Sequence, residues 1–172
     1  ASDVYKRQVL ALSTTFGYIF HLQNDSITWA DRYFYIGSVE TLRGFPEDSL
    51  IPEDSYQYWK SNLDDASDDT NALLISPGGQ SMFLLRAELR IPLPMNFIAT
   101  VFGEVGNVWR DQTEIANMIE VDPFAIHLRP VVGVGLHYLT PIGPLAFDLG
   151  INCNERPHEV PLAWYFSIGS AF

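Results

Sequence analysis

Residues 37–47 read GSVETLRGFPE, and Arg43 makes the clearest chemical demand in this stretch. A guanidinium offers a flat fork of donors that fits a carboxylate through two parallel charge-assisted hydrogen bonds. In water it needs no dedicated partner, whereas out of water an unpaired charge is strongly destabilising. Other candidates for chemistry are thin. His21, His127, His137 and His158 have no spacing that suggests a catalytic triad or a metal site, and there is no Gly-x-Ser-x-Gly nucleophile elbow. Cys153 is the single cysteine, which excludes an internal disulfide and a cysteine metal cluster. The acidic run DDASDD (64–69) lacks the glycine and closing glutamate of an EF-hand loop, so it reads as a solvated segment. These residues predict no catalytic group, no metal and no cofactor.

Composition narrows the setting. A chain of 172 residues with 47% hydrophobic and 13% aromatic content is long and apolar enough for one folded domain. A formal net charge of −11 argues against nucleic acid, whose phosphates need cations. No apolar run approaches the ~18–20 residues of a membrane helix. The opening ASDVYKRQ has neither a start methionine nor a secretory pattern, so residues 1–8 read as the unpatterned stub of a fragment.

Period-2 alternation recurs along the chain, and helical periodicity is nearly absent. About six strands are expected, over residues 9–22, 80–91, 97–109, 126–139, 145–152 and 162–172. Each has a greasy side and a polar, charged or glycine-rich side. In residues 80–91, for instance, Phe83, Leu85 and Leu89 oppose Arg86, Glu88 and Arg90. Most run well beyond the usual ~5–6 residues. Alternation alone fits either a sandwich, whose greasy face meets a second sheet, or a membrane barrel, whose greasy face meets lipid. The connections favour the barrel. Long links over 23–77 and 110–125 alternate with the tight turns PLPMN and TPIGP, as in barrels with long external loops and short periplasmic turns. Trp109, Tyr138, Trp164 and Phe172 suit interfacial aromatic girdles. Six strands cannot close a bacterial barrel, which needs about eight or more. The expectation is therefore all-β: the C-terminal portion of a transmembrane barrel, over residues 9–172, with one long lumen-directed loop.

Several ordered stretches resemble the bacterial surface antigen superfamily, the outer-membrane assembly and translocation barrels of the BamA and TamA kind. DRYFYIGSVETLRGF resembles the family signature, with Leu42 where valine is usual. GGQSMFLLRAELRIPL resembles the following strand, VFGEVGNVW the acid-x-glycine strand, and GVGLHYLTPIGPLAFDLG the paired strands joined by a Thr-Pro-x-Gly-Pro turn. The closing YFSIGSAF resembles the terminal strand, which ends on an aromatic residue. The likeness covers residues from about 9 to 172. It implies a barrel of roughly sixteen strands preceded by periplasmic POTRA domains, in the bacterial outer membrane.

If the long loop turns into the lumen, Arg43 must find a carboxylate. Glu104 and Glu88 both point inward on neighbouring strands, so Arg43 is expected to lock onto Glu104 with Glu88 as second acceptor. The resemblance implies the same, since the family holds this arginine with acidic residues of the wall. Around it, Leu42, Arg43, Gly44 and Phe45 form the lock motif. Gly44 allows a tight turn or close approach, and Phe45 anchors the tip against inward apolar groups such as Phe102. Arg86, Arg90, Arg129, His127, His137 and Asp148 read as a charge-mixed wall, some of which could brace the loop or steer substrate. The last strand, with Trp164, Phe166, Ile168, Gly169 and Phe172, is read as one side of a seam weakened by Gly169 in its interior.

The resemblance implies a non-enzymatic assembly factor that inserts outer-membrane proteins. Its partners would be the outer-membrane bilayer, unfolded outer-membrane protein clients, and periplasmic or lipoprotein accessory subunits. Two alternatives stay open: a two-partner-secretion-type polypeptide transporter, and the anchor barrel of a larger surface protein.

Overall fold

The computed structural model of the chain describes residues 8–22, 27–52, 55, 77–110, 127–141, 143–157 and 159–169. Residues 1–7 of the stub, the acidic run 64–69 and Phe172 lie outside these. Six strands form one sheet: β1 (Val9–Tyr18), β2 (Ser81–Pro92), β3 (Phe97–Trp109), β4 (Arg129–Thr140), β5 (Gly143–Asn152) and β6 (Leu162–Ile168). They are antiparallel and lie side by side in chain order. Each pairing runs in unbroken register, so one alternation pattern carries across the whole sheet.

The register sorts the side chains as the alternation expects. Val132, Val134 and Leu136 of β4 are about half exposed, and Trp164, Phe166 and Ile168 of β6 more so. On the opposite face Thr100, Phe102, Glu104, Arg129, Val131, His137 and Asp148 are buried. A sheet whose apolar face is open and whose polar face is covered is inverted relative to a soluble protein. That inversion is what a lipid-facing barrel wall requires.

Strand ends differ from the alternation. β1 stops at Tyr18 rather than at residue 22, because its partner β2 begins at Ser81, opposite Tyr18. Ile19 N–H still reaches the Gln80 carbonyl at 2.9 Å, but Phe20 and Leu22 lie beyond the ladder. β4 begins at Arg129, so His127, expected on the lumen wall, is exposed ahead of the strand with φ +44°. Trp109, expected in an aromatic girdle, is buried where Gln80 N–H donates to its carbonyl.

β6 ends at Ile168, so Gly169 stands after the strand and not within it. Its φ is +70°, and its N–H donates to the Pro144 carbonyl at 2.8 Å, the register position after Leu145 and Ile168. A Cβ on Gly143 would lie 2.8 Å from the Gly169 Cα, so the β4–β5 turn and the end of β6 meet as two bare backbones. Gly169 is the last described residue, one position past β6 and not in its interior.

The buried apolar cluster sits between the sheet and the long loop. Ile36, Leu42, Phe45 and Leu50 come from the loop, and Leu84, Phe102, Val108 and Val131 from the sheet. The loop over 36–50 is tied to itself, with Asp48 N–H donating to the Gly37 carbonyl and Leu50 N–H to that of Ile36. Gly37 is required there: its φ is +119°, and a Cβ would fall 2.1 Å from the Pro46 carbonyl oxygen.

Arginine in place of Val134, on the outward face of β4, should therefore cost about 2–4 kcal/mol in a bilayer. Gly103→Ala, where a Cβ meets nothing within 4 Å, should be neutral or slightly stabilising. Denaturant unfolding of the lipid-reconstituted protein checks both. Equal tolerance of the two substitutions would contradict an outward face in lipid.

Candidate functional site: the arginine lock

The loop delivers Arg43 to the covered face of the sheet, where the residue is 4% exposed. Its backbone N–H donates to Glu104 Oε2 at 2.8 Å and its Nε to Glu104 Oε1 at 2.7 Å. Its Nη2 donates to Glu88 Oε2 at 2.7 Å and lies equally close to Glu104 Oε1. Glu104 thus holds the arginine by both main chain and side chain, and Glu88 is the second acceptor. The expected pairing is met in full. Lysine, with one rotating ammonium and no Nε, could not make this set of bonds.

Four further residues surround this pair. Asp148 Oδ2 on β5 lies 3.5 Å from Arg43 Nη1, and Asp148 Oδ1 lies 3.1 Å from His137 Nε2 on β4. Arg90 Nε donates to Glu88 Oε1 at 2.8 Å, which leaves each oxygen of that carboxylate with its own guanidinium. The Phe102 ring lies 3.5 Å below the Arg43 guanidinium carbon, a cation–π contact worth ~0.5–2 kcal/mol. Phe102 therefore serves Arg43 as a platform, and it lies in the same buried apolar cluster as Phe45. Of the wall residues, Asp148 and Arg90 brace the lock, and Arg86 donates to the Glu40 carbonyl of the loop at 2.7 Å.

Glycines make the room. Gly133 and Gly135 alternate with valines along β4; a Cβ at the first would strike the Phe102 ring and at the second the Asp148 carboxylate. At Gly150 on β5 a Cβ would come 1.9 Å from the Arg43 carbonyl oxygen, so the loop main chain lies directly on the strand. Gly44 has no left-handed φ; it is needed because a Cβ would meet Val131 Cγ2 at 2.6 Å. The signal for these positions was present in the glycine-rich inward parity, but the sequence does not say which side chain each glycine admits.

Phe45 is 1% exposed, and its ring lies 5.4 Å from the Arg129 guanidinium carbon. Its carbonyl accepts a hydrogen bond from the Tyr165 hydroxyl of β6. Sequence reasoning missed both contacts. Leu42 is fully buried in the apolar cluster. Trp164, Phe166 and Ile168 lie on the outward face of β6, away from the lock.

Burial by itself lowers the pKa of Arg43, but the charges and hydrogen bonds of Glu104, then Glu88, outweigh it and raise it above the ordinary arginine value. Because the shift is upward, its stabilisation is complete at every pH below the ordinary arginine range. It is lost only as pH rises through the raised value, so the guanidinium supplies no switch near neutrality.

The buried Arg43–Gly44 bond should resist trypsin while the loop is seated. Gly150→Ala, which drives a methyl into the loop main chain, should unseat it and speed that cut at least roughly tenfold, as an overpacking cost of ~1–3 kcal/mol implies. Arg43→Lys should lower thermal stability despite keeping its charge. Gly150→Ala protein cut at Arg43 as slowly as the parent would contradict the close approach.

A sequence profile described as the Omp85 superfamily domain matches residues 2–172. The outer membrane protein assembly factor BamA of Neisseria meningitidis serogroup B is 22% identical over 160 residues, which are 81% of this chain and 18% of that protein. The crystal structure of BamA from Haemophilus ducreyi lacking POTRA domains 1-3 is similar with a TM-score of 0.65 and 20% identity, over 99% of this chain and 33% of that one. The chain thus spans a minor part of both relatives, and the structural likeness speaks for the fold. With the profile covering almost every residue, the chain belongs to the Omp85 superfamily of outer-membrane β-barrel proteins.

Proposed function

We propose that this chain forms the loop-bearing wall of a barrel that assembles proteins into the bacterial outer membrane, without enzymatic chemistry of its own. The observation that carries the reading is the fixed loop: Arg43 is bonded to Glu104 and Glu88 on two strands and approached by Asp148 on a third. A diffusion pore has no need of such a brace. An assembly factor works by lowering the barrier to strand pairing and bilayer insertion. That requires a wall that keeps its shape while a neighbouring edge exchanges partners.

The similarity to a protein named as an outer membrane protein assembly factor supports the same reading. On this view the partners are the outer-membrane bilayer, unfolded outer-membrane protein clients, and periplasmic or lipoprotein accessory subunits. A secretion transporter and an anchor barrel would share the wall but use it differently. The first would have to move the loop to pass a polypeptide, and the second would need no client at all.

The test uses the full-length protein in liposomes. Insertion of a test barrel should run well above the empty-liposome rate. Arg43→Ala should cut it by tenfold or more, because removing one partner of a buried ion pair costs about 3–5 kcal/mol and each 1.4 kcal/mol is about tenfold. Parent protein that inserts clients no faster than empty liposomes, yet conducts polypeptide in single-channel recordings, would favour the transporter.

A further inference from the structure

A second ionic node lies above the lock, at the long-loop end of the sheet. Arg129 opens β4, is 1% exposed, and sends Nη2 to the Asn154 carbonyl at 2.6 Å and to Glu159 Oε2. Glu159 belongs to the connection between β5 and β6. The same Oε2 also accepts Asn152 Nδ2 and the Arg156 N–H, each at 3.0 Å. Cys153 N–H donates to the Pro130 carbonyl at 3.0 Å, which fastens the start of this connection to β4 beside Arg129. One carboxylate oxygen therefore gathers donors from β4, from the end of β5 and from the connection itself. Charge-assisted bonds of this kind hold geometry better than neutral ones.

Arg129 has a second neighbour. Its guanidinium carbon stands 5.4 Å from the centroid of Phe45, the residue at the tip of the locked loop. Four residues beyond the connection's end, β6 also reaches the tip, since Tyr165 donates to the Phe45 carbonyl. β4 and β6 thus each contact Phe45, Arg129 at its ring and Tyr165 at its carbonyl.

We propose that Arg129 is a positioning residue that couples the β5–β6 connection to the loop tip. Glu159 fixes its guanidinium, the guanidinium holds the Phe45 ring, and Tyr165 holds the Phe45 carbonyl. Displacing the connection then loosens the tip, and withdrawing the tip loosens the connection, because coupling between two sites is reciprocal. The connection acts as a strap over the tip, a role separate from the Arg43 lock.

Cys153, exposed and the single cysteine of this chain, gives a native probe of the strap. A spin label there, in the full-length protein freed of any other cysteine, reports its motion in liposomes. Glu159→Gln should raise the mobile fraction of label roughly tenfold, the change expected from losing one charged hydrogen bond. Arg129→Lys should do so in part. The deciding variant is Phe45→Ala, which touches no atom of the strap: it should mobilise the label as well, with Tyr165→Phe giving a smaller effect. A heat-modifiability gel shift confirms that each variant is folded, and Glu159→Gln, which preserves shape, serves if Phe45→Ala does not fold. In that case the reciprocal effect, faster trypsin cleavage at Arg43 in Glu159→Gln, replaces it. A label that stays as immobile in Glu159→Gln as in the parent would overturn the proposal. So would a label that ignores Phe45→Ala in folded protein, or an unchanged trypsin rate where that readout is used.

Discussion

The arrangement depends on one constraint: a guanidinium nearly cut off from solvent must be neutralised where it lies. Arg43 meets that demand with Glu104 through three of its donors and with Glu88 through a fourth contact, while Phe102 faces its plane. Breaking such a cluster is far costlier than never building it, because each remaining carboxylate would be buried without a counter-charge. The wall is shaped accordingly. Gly133 and Gly135 clear space for Phe102 and Asp148, and Gly150 lets the loop main chain lie on β5. The loop supplies its own share through Ile36, Leu42, Phe45 and Leu50, which fill the apolar space beside the ion cluster.

This accounts for the inverted sheet. A wall with its apolar face outward offers only a few inward apolar side chains, Leu84, Phe102, Val108 and Val131, which need a cover. The folded loop supplies that cover with Ile36, Leu42, Phe45 and Leu50. The ion cluster fixes where the loop docks, the apolar cluster adds area removed from water, and the ladder of six strands holds the partners at fixed spacing. Residues on β2, β3, β4 and β5 are bound to a single arginine directly or through one intermediary, so the lock also ties neighbouring strands to one another.

Much of this was legible in the sequence. Period-2 alternation located the strands and their two faces, because in an unbroken register the parity of a residue decides its side of the sheet. It also put Glu88 and Glu104 on the inner face, and the family motifs flanking Arg43 turned its loop toward them. Strand ends were not legible. Phe20 and Leu22 keep the outward parity of β1, yet pairing stops where β2 begins, and that limit lies some sixty residues away in the chain. Gly169 reads as a strand residue by position alone; its left-handed φ and its close approach to Gly143 belong to the fold. The contacts of Phe45 with Arg129 and Tyr165 were hidden for the same reason, since neither partner shares a local pattern with the loop.

The most direct measurement is a double-mutant cycle between Arg43→Met and Glu104→Gln, read by denaturant unfolding of the lipid-reconstituted full-length protein. If the loop is held to the wall by this pair, each single change is strongly destabilising and the double change costs much less than their sum. The coupling should be about 1.5 kcal/mol or more, as for other close charge pairs. Two changes that add within about 0.5 kcal/mol would mean that Arg43 and Glu104 act independently, and would contradict the lock.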